Sequence, residues 1–367
     1  MNARTEPQAA PRVGIDVYLE WLQREGIPVT EDFGVDLTRV PTKIWPRYGV
    51  NGAAVHLKGR GDYLNMFVFE IAAGAATAPQ KHVYEEVFYV LDGRGSTTIE
   101  TADGRKHSFE WGPRSLFAVP LNTRYRLFNG SGSQSARLVS TANLPAVLNM
   151  FHDERFVFDN DWSFEDRVGS SKYFSGEGDF IPIRPGNHLW ETNFVPDLAS
   201  IELQPWSDRG AGGSNIMFIL ADGTMHAHIS EMPVGTYKKA HRHPADFHVM
   251  CVTGQGYSLL WYEGQADFVK VDWKHGTVFA PPDAMFHQHF NTSAVPARYL
   301  ATAYGSLRYP FTEGKRAALF GGVSTSVRKG GNQIEYADQD PRIHELFVRE
   351  TAKNGVEVRM QALVGPG

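Results

Sequence analysis

Cysteine is nearly missing from this chain. Its 367 residues include one, Cys251, so no disulfide can form within the chain and the core must hold by burial alone. That thiol sits in the apolar run VMCV, where it reads as a small buried hydrophobe rather than a nucleophile. Long basic runs are missing too. Lys and Arg number 36 against 41 Asp and Glu, a formal net charge of -5, and no cluster offers the electrostatic footprint that nucleic acid or an anionic membrane surface requires. No apolar run reaches the ~20 residues that cross a bilayer. The start, MNARTEPQAAPR, lacks the apolar core of a secretory signal, so a cytoplasmic location is expected, with no membrane and no nucleic-acid partner.

What is present is a globular composition. Hydrophobic residues make up 42%, enough for sizeable cores in a chain long enough for two domains. Residues 1–62 read as an arm, a short helix and a wrapping segment. Asp16 suits the helix N-cap, Val17, Tyr18, Trp21 and Leu22 its apolar stripe, and Gly26 its stop. From 63 to 145 short apolar or alternating runs (NMFVFEI, EEVFYVL, STTIE, SLFAVP, YRLFN) are separated by turn signals, the pattern of an all-β sandwich or barrel. Residues 146–214 form an aromatic-rich connection, expected to pack across both barrels with a helical turn or two. The strand pattern returns over 215–310. In the extension 311–367 a helix is expected from Asp340-Pro341, with Ile343, Leu346 and Phe347 buried and Gly355 as its stop.

The stretch Gly235 to Gly256 places His241 and His243 one residue apart at the end of a strand, on one face of an extended chain. A third imidazole, His287, follows a Pro281-Pro282-Asp283 turn and precedes Asn291. Imidazoles held this way suit a divalent metal. The two strand-rich blocks also align with each other: Gly74 with Gly235, His82 with His243, Gly93 with Gly254, Gly95 with Gly256, Trp111 with Trp273, Pro120 with Pro282 and Asn129 with Asn291. The ligand types do not repeat. Gln80 stands for His241, Tyr125 for His287, and Phe247 for Glu86. The first block is therefore expected to replace a metal by a hydrogen-bonded network.

The motifs G-x5-H-x-H…G and G-x5-P…H-x3-N resemble the motif pair of the cupin superfamily, and their duplication resembles a bicupin. The resemblance implies an all-β fold of two tandem jelly-roll barrels with short peripheral helices, and commonly a homo-oligomer. The His241-Arg242-His243 pair is similar to that of gentisate- and salicylate-type ring-cleaving dioxygenases, which hold iron on three histidines, although usually in the N-terminal barrel. It implies a metal on His241, His243 and His287, with Fe(II) first and Mn, Ni, Co or Zn as alternatives. It also implies an Fe(II) dioxygenase acting on a small hydroxylated aromatic or other chelating acid, with dioxygen as co-substrate. An anionic substrate would supply the charge that three neutral ligands omit.

A metal-dependent isomerase or decarboxylase would use the same ligands and add a general acid or base. A non-catalytic binding bicupin would share the fold. Catalytic candidates are His248, which regular alternation faces away unless a bulge turns it inward, and His289, on the face of His287. Glu231 and Asp283 are further acid–base candidates, and His226 and His228 lie on an earlier strand. Phe247, Trp261, Phe279 and Phe286 are candidate pocket walls, with ordinary barrel core the favoured reading. Arg298 and Arg308 are candidate carboxylate clamps.

Overall fold

The structure is a computed structural model and describes residues 13–184, 187–244, 246–313, 316 and 324–360. Two β-sandwiches follow each other along the chain. In the first, a large sheet runs in the order Val29–Asp32, Val50–Leu57, Asn65–Ile71, Ala136–Ala142, Glu86–Asp92, Leu116–Ala118 and Phe194–Val195, with Lys43–Trp45 beside Val50–Leu57. It faces a three-stranded sheet of Arg124–Asn129, Gly95–Glu100 and Lys106–Trp111. The second sandwich repeats the plan. A nine-stranded sheet is centred on Met225–Met232, Ala297–Tyr304 and Phe247–Thr253. It faces a sheet of Val269–Lys274, Gln255–Trp261, Phe286–Asn291, Ala240–His241 and Gln333–Ile334. Longer helices lie where the composition placed them. Val17–Glu25 is capped by the Asp16 carboxylate and stopped by Gly26 at φ 67°. Leu144–Phe151 and Glu154–Phe158 lie in the connection, and Pro341–Ala352 starts from an Asp340 cap.

The duplication is visible atom by atom. Asn129 Nδ2 donates to the carbonyls of Ile71 (2.9 Å) and Gln134 (2.8 Å). Its counterpart Asn291 donates to those of Met232 (3.1 Å) and Val295 (2.9 Å). Each asparagine ties a strand end to a turn whose carbonyls no ladder would satisfy. Gly95 and Gly256 sit beneath Trp111 and Trp273. A Cβ at either would come within 2.0 Å of Phe128 O or 1.9 Å of Phe290 O, so no larger residue fits.

Three features depart from the expected boundaries. Val50–Leu57, assigned above to a wrapping segment, is a strand of the first sandwich paired with Asn65–Ile71. It shows no alternation because it is buried on both faces except at Asn51. Gly34–Asp36 crosses over and pairs with Thr277–Phe279 of the second sandwich. The connection carries strands Asp179–Arg184 and Asn187–Glu191, which extend the second sandwich's sheet, and Phe194–Val195, which pairs with the first. The large sheets pack back to back through Met66, Val68, Val87 and Val139 on one side and Met250, Val278 and Leu300 on the other. Thr141 and Thr302, equivalent in the repeat, share a hydrogen bond of 2.9 Å across this seam. Among the described residues no helix is long and apolar enough to cross a membrane.

Candidate metal centre

His241 ends the short strand Ala240–His241 and lies opposite His287 on Phe286–Asn291. His243 lies in the irregular segment that follows. One ligating atom from each of the three lies within 4.8 Å of the others. The sequence-derived triad is thus brought together in the second sandwich. His243 Nδ1–H donates to Pro244 O (2.8 Å) and His287 Nδ1–H to Met285 O (3.1 Å). These bonds fix the tautomer and leave both Nε2 atoms as lone pairs. His287 Nε2 and His241 Nε2 are 3.0 Å apart. Two imidazole nitrogens ~2.1 Å from one ion and at a right angle would be separated by ~3.0 Å, so this spacing suits a shared cation. Burial, and after it Arg209 for His241 and the His243 imidazole for His287, hold both rings well below the usual imidazole range. Neutral imidazole is the form that ligates.

The missing carboxylate is confirmed by register. Glu86 pairs with Ala142, and Phe247 pairs with Ala303 at the equivalent rung. In the first sandwich Ser140 Oγ donates to Glu86 Oε1 (2.5 Å). Its counterpart is Ala301, opposite Val249, which has no hydroxyl to offer. The second sandwich has therefore lost both the carboxylate and the group that holds it. The Phe247 ring instead lies 4.1 Å from the His243 ring.

The triad opens into a cavity of about 370 Å³. His289 lines it, with Nδ1 2.8 Å from Ser258 Oγ. Because Trp273 Nε1–H donates to the same oxygen (3.0 Å), the serine hydroxyl is free to donate to His289 Nδ1. His226 and His228 also line the cavity and bond to each other at 2.7 Å.

Of the aromatic and arginine candidates, the structure keeps one at the cavity. Phe247 walls the cavity, but Trp261 and Phe286 pack in the cluster under the C-terminal helix, and Phe279 lies in the second sandwich's core. Arg298 is committed to Glu231 (2.7 Å) and to the carbonyls of Leu198 and Ile201. Arg308 is committed to Glu191 and Asp222, both at 2.6 Å. Neither arginine clamps a ligand here, and Glu231 is not available as a base. Three cationic residues line the cavity, Arg209, Lys238 and Arg242, and the first two were not singled out from the sequence.

His248 is corrected as well. It occupies the rung of Val87 and faces the seam between the sandwiches among Met66, Val139 and Leu300, away from the triad. Regular alternation holds and no bulge turns it inward. It is 1% exposed and neither ring nitrogen has a hydrogen-bond partner. Burial, with Arg60 and His56 adding to it, lowers its pKa to about 3. The unfolded chain takes up this proton near pH 6.5 while the folded chain refuses it until about 3. The contribution is therefore neutral above pH 6.5 and becomes a growing penalty as pH falls from there. At pH 5 the penalty should reach about 2 kcal/mol. His248→Leu, which removes the buried polar group, is expected to fold and to lose less stability than the parent between pH 7.5 and 5.0 in urea titrations. An unchanged pH slope would refute this assignment.

The equivalent place in the first sandwich is filled by protein. Tyr125 OH donates to Glu86 Oε2 (3.0 Å) and lies 3.1 Å from His82 Nε2. His82 Nδ1–H donates to Tyr84 O (2.9 Å), and the Tyr84 and Tyr48 hydroxyls share a bond of 3.1 Å. Gln80, where His241 would stand, turns to the carbonyls of Arg47 and Ala78. The Tyr125 phenol occupies the space between the would-be ligands.

No family model matches the chain. It is similar to the auxin-binding protein T92 of Nicotiana tabacum, 22% identical over 156 residues, which are 40% of this chain and 77% of that protein. Among solved structures it is similar to the formate complex of Lactobacillus farciminis oxalate decarboxylase (14% identity, 74% of this chain, 86% of that one, TM-score 0.49). It is also similar to a variant of Bacillus subtilis oxalate decarboxylase (13% identity, 83% and 87%, TM-score 0.48). The tandem sandwiches are built on one repeated register of glycine, tryptophan and asparagine, with a histidine triad kept in the second.

Proposed function

We propose that the second sandwich is the site of a metal-dependent enzyme whose substrate is a small anionic acid able to chelate the ion, and that the reaction is a decarboxylation or isomerisation. The observation that carries this reading is the sharing of one cavity by the triad and by three further imidazoles, His226, His228 and His289. A bound Mn(II) or Fe(II) would act as a Lewis acid toward the chelating acid. The chain's own contribution is to keep that acid dry and oriented against Phe247 and Val249, and to move protons. His289, with Nδ1 accepting from Ser258, is neutral. Its proton then sits on Nε2, so His289 is positioned as a hydrogen-bond donor beside the ligand His287, their ring centres 5.5 Å apart.

An Fe(II) dioxygenase is the second reading. The lack of any carboxylate in the triad favours it, because three neutral ligands leave positions and charge for both an anionic substrate and dioxygen. Turnover of a panel of chelating acids by metal-loaded protein, in air and under strict anaerobiosis, separates the two. Products that form equally without oxygen support the decarboxylase or isomerase. Products that require stoichiometric oxygen uptake replace it by the dioxygenase.

A further inference from the structure

Lys238 is 3% exposed, yet its ammonium has no hydrogen-bond partner. It lines the same cavity as the triad. An unpaired buried amine is costly unless something brought into the site satisfies it. Among the described residues no carboxylate is hydrogen-bonded to it. Of the charged groups that act on Lys238, Arg209 is repulsive, and Glu231 is already held by Arg298 at 2.7 Å. Arg209 lines the cavity beside it, its guanidinium over the Trp206 ring (5.8 Å) and 3.4 Å from Gln333 Oε1. Space is also kept for the amine: a Cβ on Gly213 would come 2.6 Å from Nζ.

We infer that Lys238, backed by Arg209, is an anion subsite distinct from the metal ligands, so that the enzyme's substrate is an acid with two anionic groups, one for the ion and one for this amine. The inference rests on the proposed function for its metal-bound end only. Burial, and after it Arg209, lowers the Lys238 pKa to about 7, consistent with an amine that lacks its counter-ion. An arriving carboxylate would restore the charged form through a charge-assisted hydrogen bond.

Malonate and acetate serve as probes, titrated calorimetrically into the full chain with and without Mn(II). Wild-type protein should prefer malonate when Mn(II) is bound, whereas without the ion both acids have only the amine to bind. Lys238→Met, of similar length and without charge, should weaken malonate binding by about 30-fold and leave metal stoichiometry unchanged, while acetate, held by the ion in the Mn(II)-loaded protein, should weaken far less there. Gly213→Ala crowds the amine without removing it and should weaken malonate at least about 3-fold. It guards against a Lys238→Met variant that fails to fold. Malonate binding unchanged in both variants overturns the inference. If the metal-loaded protein turns over no acid while malonate binding still depends on Lys238 in the metal-free protein, the proposed function falls and the subsite stands.

Discussion

His287→Ala should leave a folded protein that holds less than a tenth of the metal bound by the parent, with activity lost in proportion. A three-ligand site has no spare protein donor, and since loss of an outer-shell partner alone costs 10- to 100-fold, loss of a ligand should weaken affinity by more than about 100-fold. His287 has its tautomer fixed by Met285 O and is 1% exposed, so water cannot readily replace it. His241→Ala should behave alike, and His243, half-buried at the cavity mouth, should show the mildest loss. His82→Ala is the internal control. Its ring belongs to the network of Tyr84, Tyr125 and Glu86, so the expected effect is lost stability, about 1–3 kcal/mol, with metal content intact. Elemental analysis of protein purified without added metal, beside urea midpoints, measures both. Loss of the metal from His82→Ala would place the centre in the wrong sandwich.

The triad was legible because its spacing obeys two simple rules: alternate residues of a strand share a face, and a Pro turn returns the chain to it. The duplication was legible through glycines and asparagines that packing and carbonyl pairing make irreplaceable. His248 shows the same rule applied correctly, since its even rung faces the seam. Lys238 was illegible for the opposite reason. The pairing Tyr237↔Phe290 gives way to His241↔His287, a shift of one residue within the strand. That bulge breaks alternation and carries Lys238 inward while Lys239 bonds Glu335 at 2.6 Å outside. The first sandwich contains the same shift, from Ala76↔Phe128 to Gln80↔Tyr125, so it is inherited from the repeat. Arg209 comes from a short turn in the connection, Ser207–Arg209, and no period links it to the triad. The boundaries at Val50–Leu57 and Gly34–Asp36 were hidden by strands buried on both faces or exchanged between the sandwiches.

Phe247→Glu should convert the triad into a four-ligand site and invert its preference for anions. Phe247 stands at the rung of Glu86 and contacts the His243 ring at 4.1 Å, so a carboxylate placed there lies beside the ligands and not in the core. The residue is half-buried and lines the cavity, which spares the new charge the full cost of burial. Metal affinity should hold or rise. Acidic substrates should bind about 100-fold more weakly, because the site's added negative charge takes the role that the substrate anion filled. Ala301 offers the new carboxylate no partner, whereas Ser140 holds Glu86 in the first sandwich. The double variant Phe247→Glu with Ala301→Ser should therefore be more stable than the single one by about 1–2 kcal/mol. Metal titration, malonate titration and urea midpoints on the three proteins read each effect separately. Metal loss from the folded single variant, or acid affinity left at the parental level, would mean that Phe247 does not occupy the place of the absent ligand.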